Sequence, residues 1–508
     1  MTLGRVGRGL VASQPERHVS LVMPTRSGKT RGIVVPAILE WAGPVIATSV
    51  KADLLWDPSY GSGTLARREQ LGEVWIFDPT AQSGYPCVPW SPLGRCETWT
   101  GALRTARTML GASGRARGGA DDNSAYFASR AESSLAPLFR AAAELGAGMD
   151  LCLAWARAGQ RCVDDLAEAL QDAEPEALAS VDGLMSGSDR GNADVWATVL
   201  TLLKPWEDPA VCKATAEPLW SPADLLNGTA NTLYVISGTD ASRLAPLYAA
   251  LLDEILDAVK AKAMRDGPLS PRLLLALDEI ANIAPISDLP QLLSILGGMG
   301  ATVLTAWQSA AQMSAGYGPE GASTILGNSA AQLWSATDDP DSISRVTQIL
   351  GSREVTQTSV SSDAQAGLFG RKKRSISEST GRIPTIDASQ LRTMSEPLLL
   401  VSGMPPTPVK LRFHDRDRTL RKLSGLQPST LPSEPVAVTA PDDEDDDLPT
   451  PEPIAPEPER TLPPEPVWDI DWTPAPEPEP APEPATPVPT WNLDWSERPE
   501  PVDLNAGF

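Results

Sequence analysis

The chain has 508 residues, 42% of them hydrophobic, and a formal net charge of -23. That length suits two or three domains and a large core. The acidity is local: from Gln427 onward 20 acidic residues face 2 basic ones, so the preceding 426 residues carry only -5 and nucleic acid stays open as a partner. Five scattered cysteines (87, 96, 152, 162 and 212) lack a Cys-x-x-Cys pair, and His18 and His414 are the only histidines, which excludes a zinc framework, a disulfide scaffold and a His-based triad. Met1–Arg17 has no apolar core of a signal peptide, and Pro36, Glu40 and Pro44 interrupt the apolar run 32–47, so the reading is a soluble, cytoplasmic chain without a transmembrane segment.

A first strand is expected over 17–22 and leads into Pro24-Thr25-Arg26-Ser27-Gly28-Lys29-Thr30. A helix over 29–41, kinked at Pro36, should follow. A strand, a Gly/Ser turn with Gly-Lys-Thr and a helix together make a phosphate-binding loop. Such a loop needs inward backbone N–H groups, a lysine for the β- and γ-phosphates of ATP and a hydroxyl for Mg²⁺, and Gly28, Lys29 and Thr30 supply these parts. The strict pattern has glycine where this chain has Met23, a change that a negative φ tolerates. Strands at 45–48 and 73–77 then imply a parallel α/β sheet.

From Thr98 to about Glu217 the chain becomes Ala- and Leu-rich, with helical periodicity in 98–111, 124–146, 149–157, 163–171, 176–186 and 193–204. This reads as an all-α insertion, with Gly111–Asp122 a mobile connection. The sheet resumes at 231–236, followed by a helix over 244–265 and strands at 272–277 and 301–306. A helix over 320–332, a strand near 332–336, a helix over 339–351 and a strand at 397–402 close the domain, with 357–380 a surface loop or hairpin. The expected organisation is a P-loop ATPase domain in two parts, 1–95 and 218–426, an all-α domain over 96–217 and a tail over 427–508.

Pro and Glu dominate that tail, leaving too little apolar surface to offset the entropy of ordering, so it is expected to be disordered. It carries a repeat, Trp468-Asp-Ile-Asp-Trp472 and Trp491-Asn-Leu-Asp-Trp495, which reads as a duplicated docking motif for an unknown partner, or as duplication without function.

ATP hydrolysis needs charge stabilisation and a positioned water. The strand 272–277 ends in Asp278-Glu279, which would serve as the Mg²⁺ ligand through water and as the carboxylate that polarises the attacking water. Gln308, ending the next strand, is suited to sense the γ-phosphate, or is only a solvated strand end. Arg345 and Arg353 are candidates to complete a neighbouring subunit's site. Lys410, Arg412, Arg416, Arg418, Arg421 and Lys422, with the run Arg371–Arg374, offer cations for DNA phosphates or form a solvated face.

Beyond single motifs, residues 4–415 resemble the TraG/TraD-type coupling proteins of conjugation and type IV secretion. The matching words are Pro24–Thr30, Lys51-Ala52-Asp53-Leu54, Leu277-Asp278-Glu279-Ile280-Ala281-Asn282-Ile283, Gln308-Ser309-Ala310-Ala311-Gln312 and Tyr317-Gly318. The resemblance implies a RecA-like motor domain with the inserted all-α domain, and homo-hexamers that move single- or double-stranded DNA. It also implies delivery of a relaxase-bound strand from the relaxosome to the secretion channel at the cytoplasmic face of the membrane. Family members usually begin with transmembrane helices and often carry a basic residue before the 301–306 strand, where this chain has Leu296-Gly297-Gly298-Met299-Gly300. Rival readings are a slow or non-hydrolysing nucleotide-binding recruitment platform, an FtsK-like DNA translocase and a coupler of protein substrates alone.

Overall fold

Short runs of β-branched and aliphatic residues separated by helices are the pattern of a sheet buried on both faces. The computed structural model describes residues 1–113, 122–185, 189–283, 286, 288–362 and 374–429. Thirteen strands are found there: β1 Thr2–Val6, β2 Gly9–Ala12, β3 His18–Val22, β4 Val45–Ser49, β5 Val74–Phe77, β6 Thr232–Ile236, β7 Leu273–Leu277, β8 Ala301–Trp307, β9 Ser329–Trp334, β10 Ser352–Ser362, β11 Arg374–Pro384, β12 Leu398–Val401 and β13 Thr407–Pro408. Nine of them form one sheet in the order β13-β12-β9-β3-β8-β7-β4-β6-β5. From β9 to β5 every neighbouring pair is parallel, while β12 runs antiparallel to β9 and β13. Strands β3, β4, β6, β7 and β8 are buried along their whole length. The register Val22↔Trp307 and Val22↔Trp334 sets the phosphate loop between the ends of β8 and β9.

Between β5 and β6 the described chain is helical, chiefly Trp99–Ala112, Asp122–Glu144, Met149–Ala158, Val163–Ala169, Pro175–Met185 and Asp189–Leu203. These helices and the long helix Ala241–Asp266 share one apolar core with a face of the sheet, through Phe77, Trp90, Leu135, Phe139 and Tyr248. The RecA-like architecture with its helical insertion is therefore the fold of the chain.

Several elements depart from expectation. The helix expected over 320–332 starts ten residues earlier, at Ala310, where Ser309 caps it by accepting the Gln312 N–H. It breaks at Gly318 (φ 72°, ψ 168°) before Pro319, and ends at Asn328. The strand expected near 332 begins at Ser329, because Ser329 and Ala331 pair with His18 and Val19 of β3. Pro36 sits in the first turn of the helix Val35–Glu40, so it opens that helix instead of kinking a longer one; Thr30–Val34 before it forms a wider, π-type turn. Strands β1 and β2, helix Arg418–Ser424 and strand β13 had no counterpart in the sequence reading. Within the 357–380 segment the described residues pair as antiparallel strands, β10 against β11.

Trp468, Trp472, Trp491 and Trp495, the tail from Thr430, most of Gly111–Asp122 and Arg371–Lys373 lie outside the described residues. Among the described residues no helix is long and apolar enough to cross a membrane.

Candidate functional site

The phosphate loop leaves β3 through Met23, whose N–H donates to the Trp307 carbonyl at 2.9 Å. Met23 is fully buried and absent from the positive-φ residues, so the core accepts its side chain where a glycine was expected. The left-handed turns fall instead at Arg26 (φ 63°) and Gly28 (φ 90°). The Ser27 hydroxyl closes the turn by donating to the Pro24 carbonyl at 2.6 Å. Thr25 and Arg26 face outward, whereas Lys29 is buried.

Strand β7, two places along the sheet from β3, delivers Asp278 and Glu279 to the same end. The Thr30 hydroxyl donates to Asp278 Oδ2 at 2.6 Å. Lys29 Nζ lies 3.5 Å from Glu279 Oε1. Asp278 is held by its own backbone as well, since the Thr48 hydroxyl donates to its carbonyl at 2.9 Å. Its carboxyl is pushed up to about 6, chiefly by burial; Glu279 and Asp53 add to this, and Thr30 and Lys29 oppose it. Glu279 takes φ 54°, a conformation few non-glycine residues adopt. Lys29 Nζ and Asp278 Oδ1 are both buried without a hydrogen-bond partner. A buried cation donor and a buried acceptor oxygen on the two adjoining segments, each without a hydrogen bond, suit a phosphate and its magnesium ion, which is the fit expected of a Mg²⁺-nucleotide.

Gln308 is brought to the loop as well. With Pro24, Thr25, Ser309, Asp339 and Arg392 it lines a cleft of about 470 Å³. Arg345 donates to Ser323 Oγ at 2.8 Å, and Arg353 is exposed at the base of the hairpin. The bare loop 296–300 receives a cation from elsewhere: the Arg272 guanidinium donates to the Gly297 carbonyl at 2.6 Å.

The 411–417 segment, which the motifs did not single out for this site, lies against the loop. A Cβ placed on Gly28 would stand 2.8 Å from the Phe413 ring, and one on Gly32 3.0 Å from Leu411 Cβ. Arg31 Nε donates to Asp415 Oδ1 at 2.7 Å, and its guanidinium sits 4.0 Å from the Tyr60 ring centre and 4.9 Å from that of Phe413. The only sequence signal was a pair of glycines four apart, at 28 and 32.

Of the cations considered for DNA, Lys410, Arg416, Arg418, Arg421 and Lys422 are exposed. Arg412 is not: it is buried, donating to Glu40 at 2.7 Å and to Asp417 at 3.1 Å.

Two family descriptions match the chain: "Type IV secretory system Conjugative DNA transfer" over residues 4–124 and "TraM recognition site of TraD and TraG" over residues 272–396. Protein VirD4 of Rhizobium rhizogenes is 26% identical over 429 residues, covering 82% of this chain and 61% of that protein. The conjugal transfer protein TraG of Escherichia coli is 21% identical over 418 residues, covering 71% and 59%. The chain thus spans about three fifths of the length of the curated relatives it matches. Among solved structures, the unbound bacterial conjugative coupling protein TrwBdeltaN70 is similar with a TM-score of 0.53 at 17% identity, over 79% of this chain and 87% of that one. The plasmid coupling protein TrwB in complex with ADP and Mg²⁺ matches with a TM-score of 0.52 at 17% identity, over the same shares. At that identity the likeness is one of fold; with both matched segments, it makes the chain similar to the type IV coupling proteins of the TraG/TraD type over its N-terminal and 272–396 parts.

Proposed function

We propose that the chain is the ATP-hydrolysing motor of a type IV coupling protein, which recruits a relaxase-bound DNA strand and drives it into a secretion channel. The observation that carries this reading is the pairing of Thr30 with Asp278 and of Lys29 with Glu279, with Lys29 Nζ and Asp278 Oδ1 left without a hydrogen bond. Lys29 would hold the β- and γ-phosphates, displacing its contact with Glu279, and Glu279 would then be released to orient water. Thr30 would hold Mg²⁺ directly and Asp278 through water; the ion when bound neutralises charge on the phosphate oxygens. Asp278 must be ionised for this, and Lys29 beside it favours that form. Gln308 would report the γ-phosphate to the cleft it lines. The bound state of TrwB, in complex with ADP and Mg²⁺, supports the same ligand class for this chain.

Activity is proposed to belong to a homo-hexamer, in which Arg345 or Arg353 faces the neighbouring nucleotide, at the cytoplasmic face of the membrane. The DNA, relaxosome and channel partners rest on the matched family descriptions.

The test is steady-state ATP hydrolysis with and without single- and double-stranded DNA, beside Glu279→Gln. DNA-stimulated turnover that falls about a hundred-fold or more in Glu279→Gln, with ATP still bound, is the expected result. Turnover indifferent to DNA would favour a coupler of protein substrates. Binding without turnover in the parent would favour a nucleotide-switched platform.

A further inference from the structure

Tyr60 is 46% exposed, an open aromatic ring beside the first turn of the helix behind the phosphate loop. It stands in a tight turn, Asp57–Ser62, closed from both sides: the Asp57 N–H donates to the Ser62 carbonyl at 2.8 Å, and the Ser62 N–H donates to the Asp57 carbonyl at 3.3 Å. Inside the turn the Tyr60 N–H donates to the Asp57 carbonyl at 3.2 Å and the Ser59 N–H to Asp57 Oδ1 at 2.8 Å, while Gly61 takes φ 55°. The ring is thus presented on a fixed backbone.

The guanidinium of Arg31, the residue after Thr30, lies 4.0 Å from the ring centre. Its charge is met by Asp415, through Nε at 2.7 Å and through Nη2, so it does not depend on the aromatic ring for neutralisation. The His414 N–H donates to the Arg31 carbonyl at 3.3 Å, and the His414 ring meets Tyr60 edge-on at 6.4 Å, which fixes Arg31 and Tyr60 against the same segment. With Arg31 against one face of Tyr60, the opposite face and the hydroxyl edge account for the exposure. An open π-face backed by a paired guanidinium suits a heteroaromatic ring.

The direction of the phosphate loop says which ring. Lys29 faces Glu279 and Thr30 meets Asp278, so the γ end of a triphosphate belongs beside those carboxylates. Its α end runs along the first N–H groups of the helix, towards Arg31, and carries the sugar and base with it. Tyr60 stands on that side.

We propose that Tyr60 is the stacking platform for the base of the bound nucleotide, with Arg31 held behind its ring by Asp415. This rests on the nucleotide-binding reading of the loop given above.

The test compares Mg²⁺-ATP with inorganic tripolyphosphate, which has the phosphates and no base, by calorimetric titration of the full-length parent, Tyr60→Ala and Tyr60→Phe. Tyr60→Ala should weaken ATP about ten-fold or more and leave tripolyphosphate within about two-fold, while Tyr60→Phe stays within about two-fold for both. An equal loss for both ligands, or an unchanged ATP affinity with weakened binding of single-stranded DNA, overturns the proposal. A parent that binds ATP and tripolyphosphate equally overturns the base platform alone, whereas a parent that binds neither overturns the reading of the loop. A second measurement needs no variant: ATP carrying a photoreactive azido group on its adenine ring should label the peptide that contains Tyr60. Labelling confined to other peptides overturns the proposal as well.

Discussion

Lys29, the proposed phosphate ligand, is held unlike a residue that stabilises the fold. Its ammonium is buried, faces Glu279 at 3.5 Å and has no hydrogen bond. A buried ammonium held so loosely contributes little to the fold and is costly to keep. Lys29→Ala should therefore lower nucleotide affinity by about a hundred-fold while leaving the melting temperature unchanged or raised. Titration with a fluorescent nucleotide and a melting curve check both halves, and a melting temperature several degrees lower would make Lys29 a structural residue.

His18 is the opposite case. It is buried at the start of β3, its Nδ1 accepts the Val303 N–H at 3.0 Å, and burial pushes its pKa down to about 4. In the unfolded chain the ring titrates near 6.5. Above that pH it is neutral in both states and the stability is fully present. As pH falls from 6.5 towards 4 the unfolded chain takes up a proton that the folded one refuses, and stability of about 3 kcal/mol is lost. The melting temperature should fall between pH 7 and pH 4.5, and His18→Asn should make that fall shallower; parallel pH profiles would contradict the assignment.

At the scale of elements, the parallel strands were legible because each is a continuous apolar run flanked by turn residues, and the loop because Gly28-Lys29-Thr30 follows such a run. Asp278 and Glu279 were legible from the strand that ends on them. The break in helix 310–328 was not, because periodicity stops at Gly318-Pro319 and the preceding turn, rich in Ala and Ser, carries little pattern. The segment over the phosphate loop was hidden for another reason: the contact between Phe413 and Gly28 joins positions 385 residues apart (413 − 28), and local pattern reports nothing at that range. This contact gives a prediction. Gly28→Ala adds a methyl group that meets the Phe413 ring and asks an alanine to hold φ 90°, so nucleotide affinity should fall about ten-fold or more, about 1.4 kcal/mol. Adding Phe413→Ala should recover the steric part alone. If the double variant is no better than Gly28→Ala, backbone conformation accounts for the whole effect.

For the whole molecule, charge divides into two kinds that the sequence presents as one cluster. Lys410, Arg416, Arg418, Arg421 and Lys422 are exposed, whereas Arg412 is enclosed by Glu40 and Asp417. Removing one partner of a buried ionic group costs about 3–5 kcal/mol. Arg412→Met should therefore lower stability by that order in denaturant titration, without altering the salt dependence of DNA binding. Replacing the five exposed cations with Gln should leave stability within about 1 kcal/mol and flatten that salt dependence. A flattened slope in Arg412→Met would mean that its side chain is reached by DNA after all.

The last described stretch of chain ties distant parts of the fold together. Phe413 rests on the phosphate loop, the Ser424 carbonyl accepts the Gly63 N–H at 2.8 Å, and Ser429 holds Glu69, which lies beside the outer strand β5. Mechanically this is a cross-brace with one end on the nucleotide site and the other at the root of the tail. One continuous stretch, 413–429, thus spans from the Gly28 turn to the edge of the sheet, so a displacement at either end is resisted by the contacts at Gly63 and Phe413.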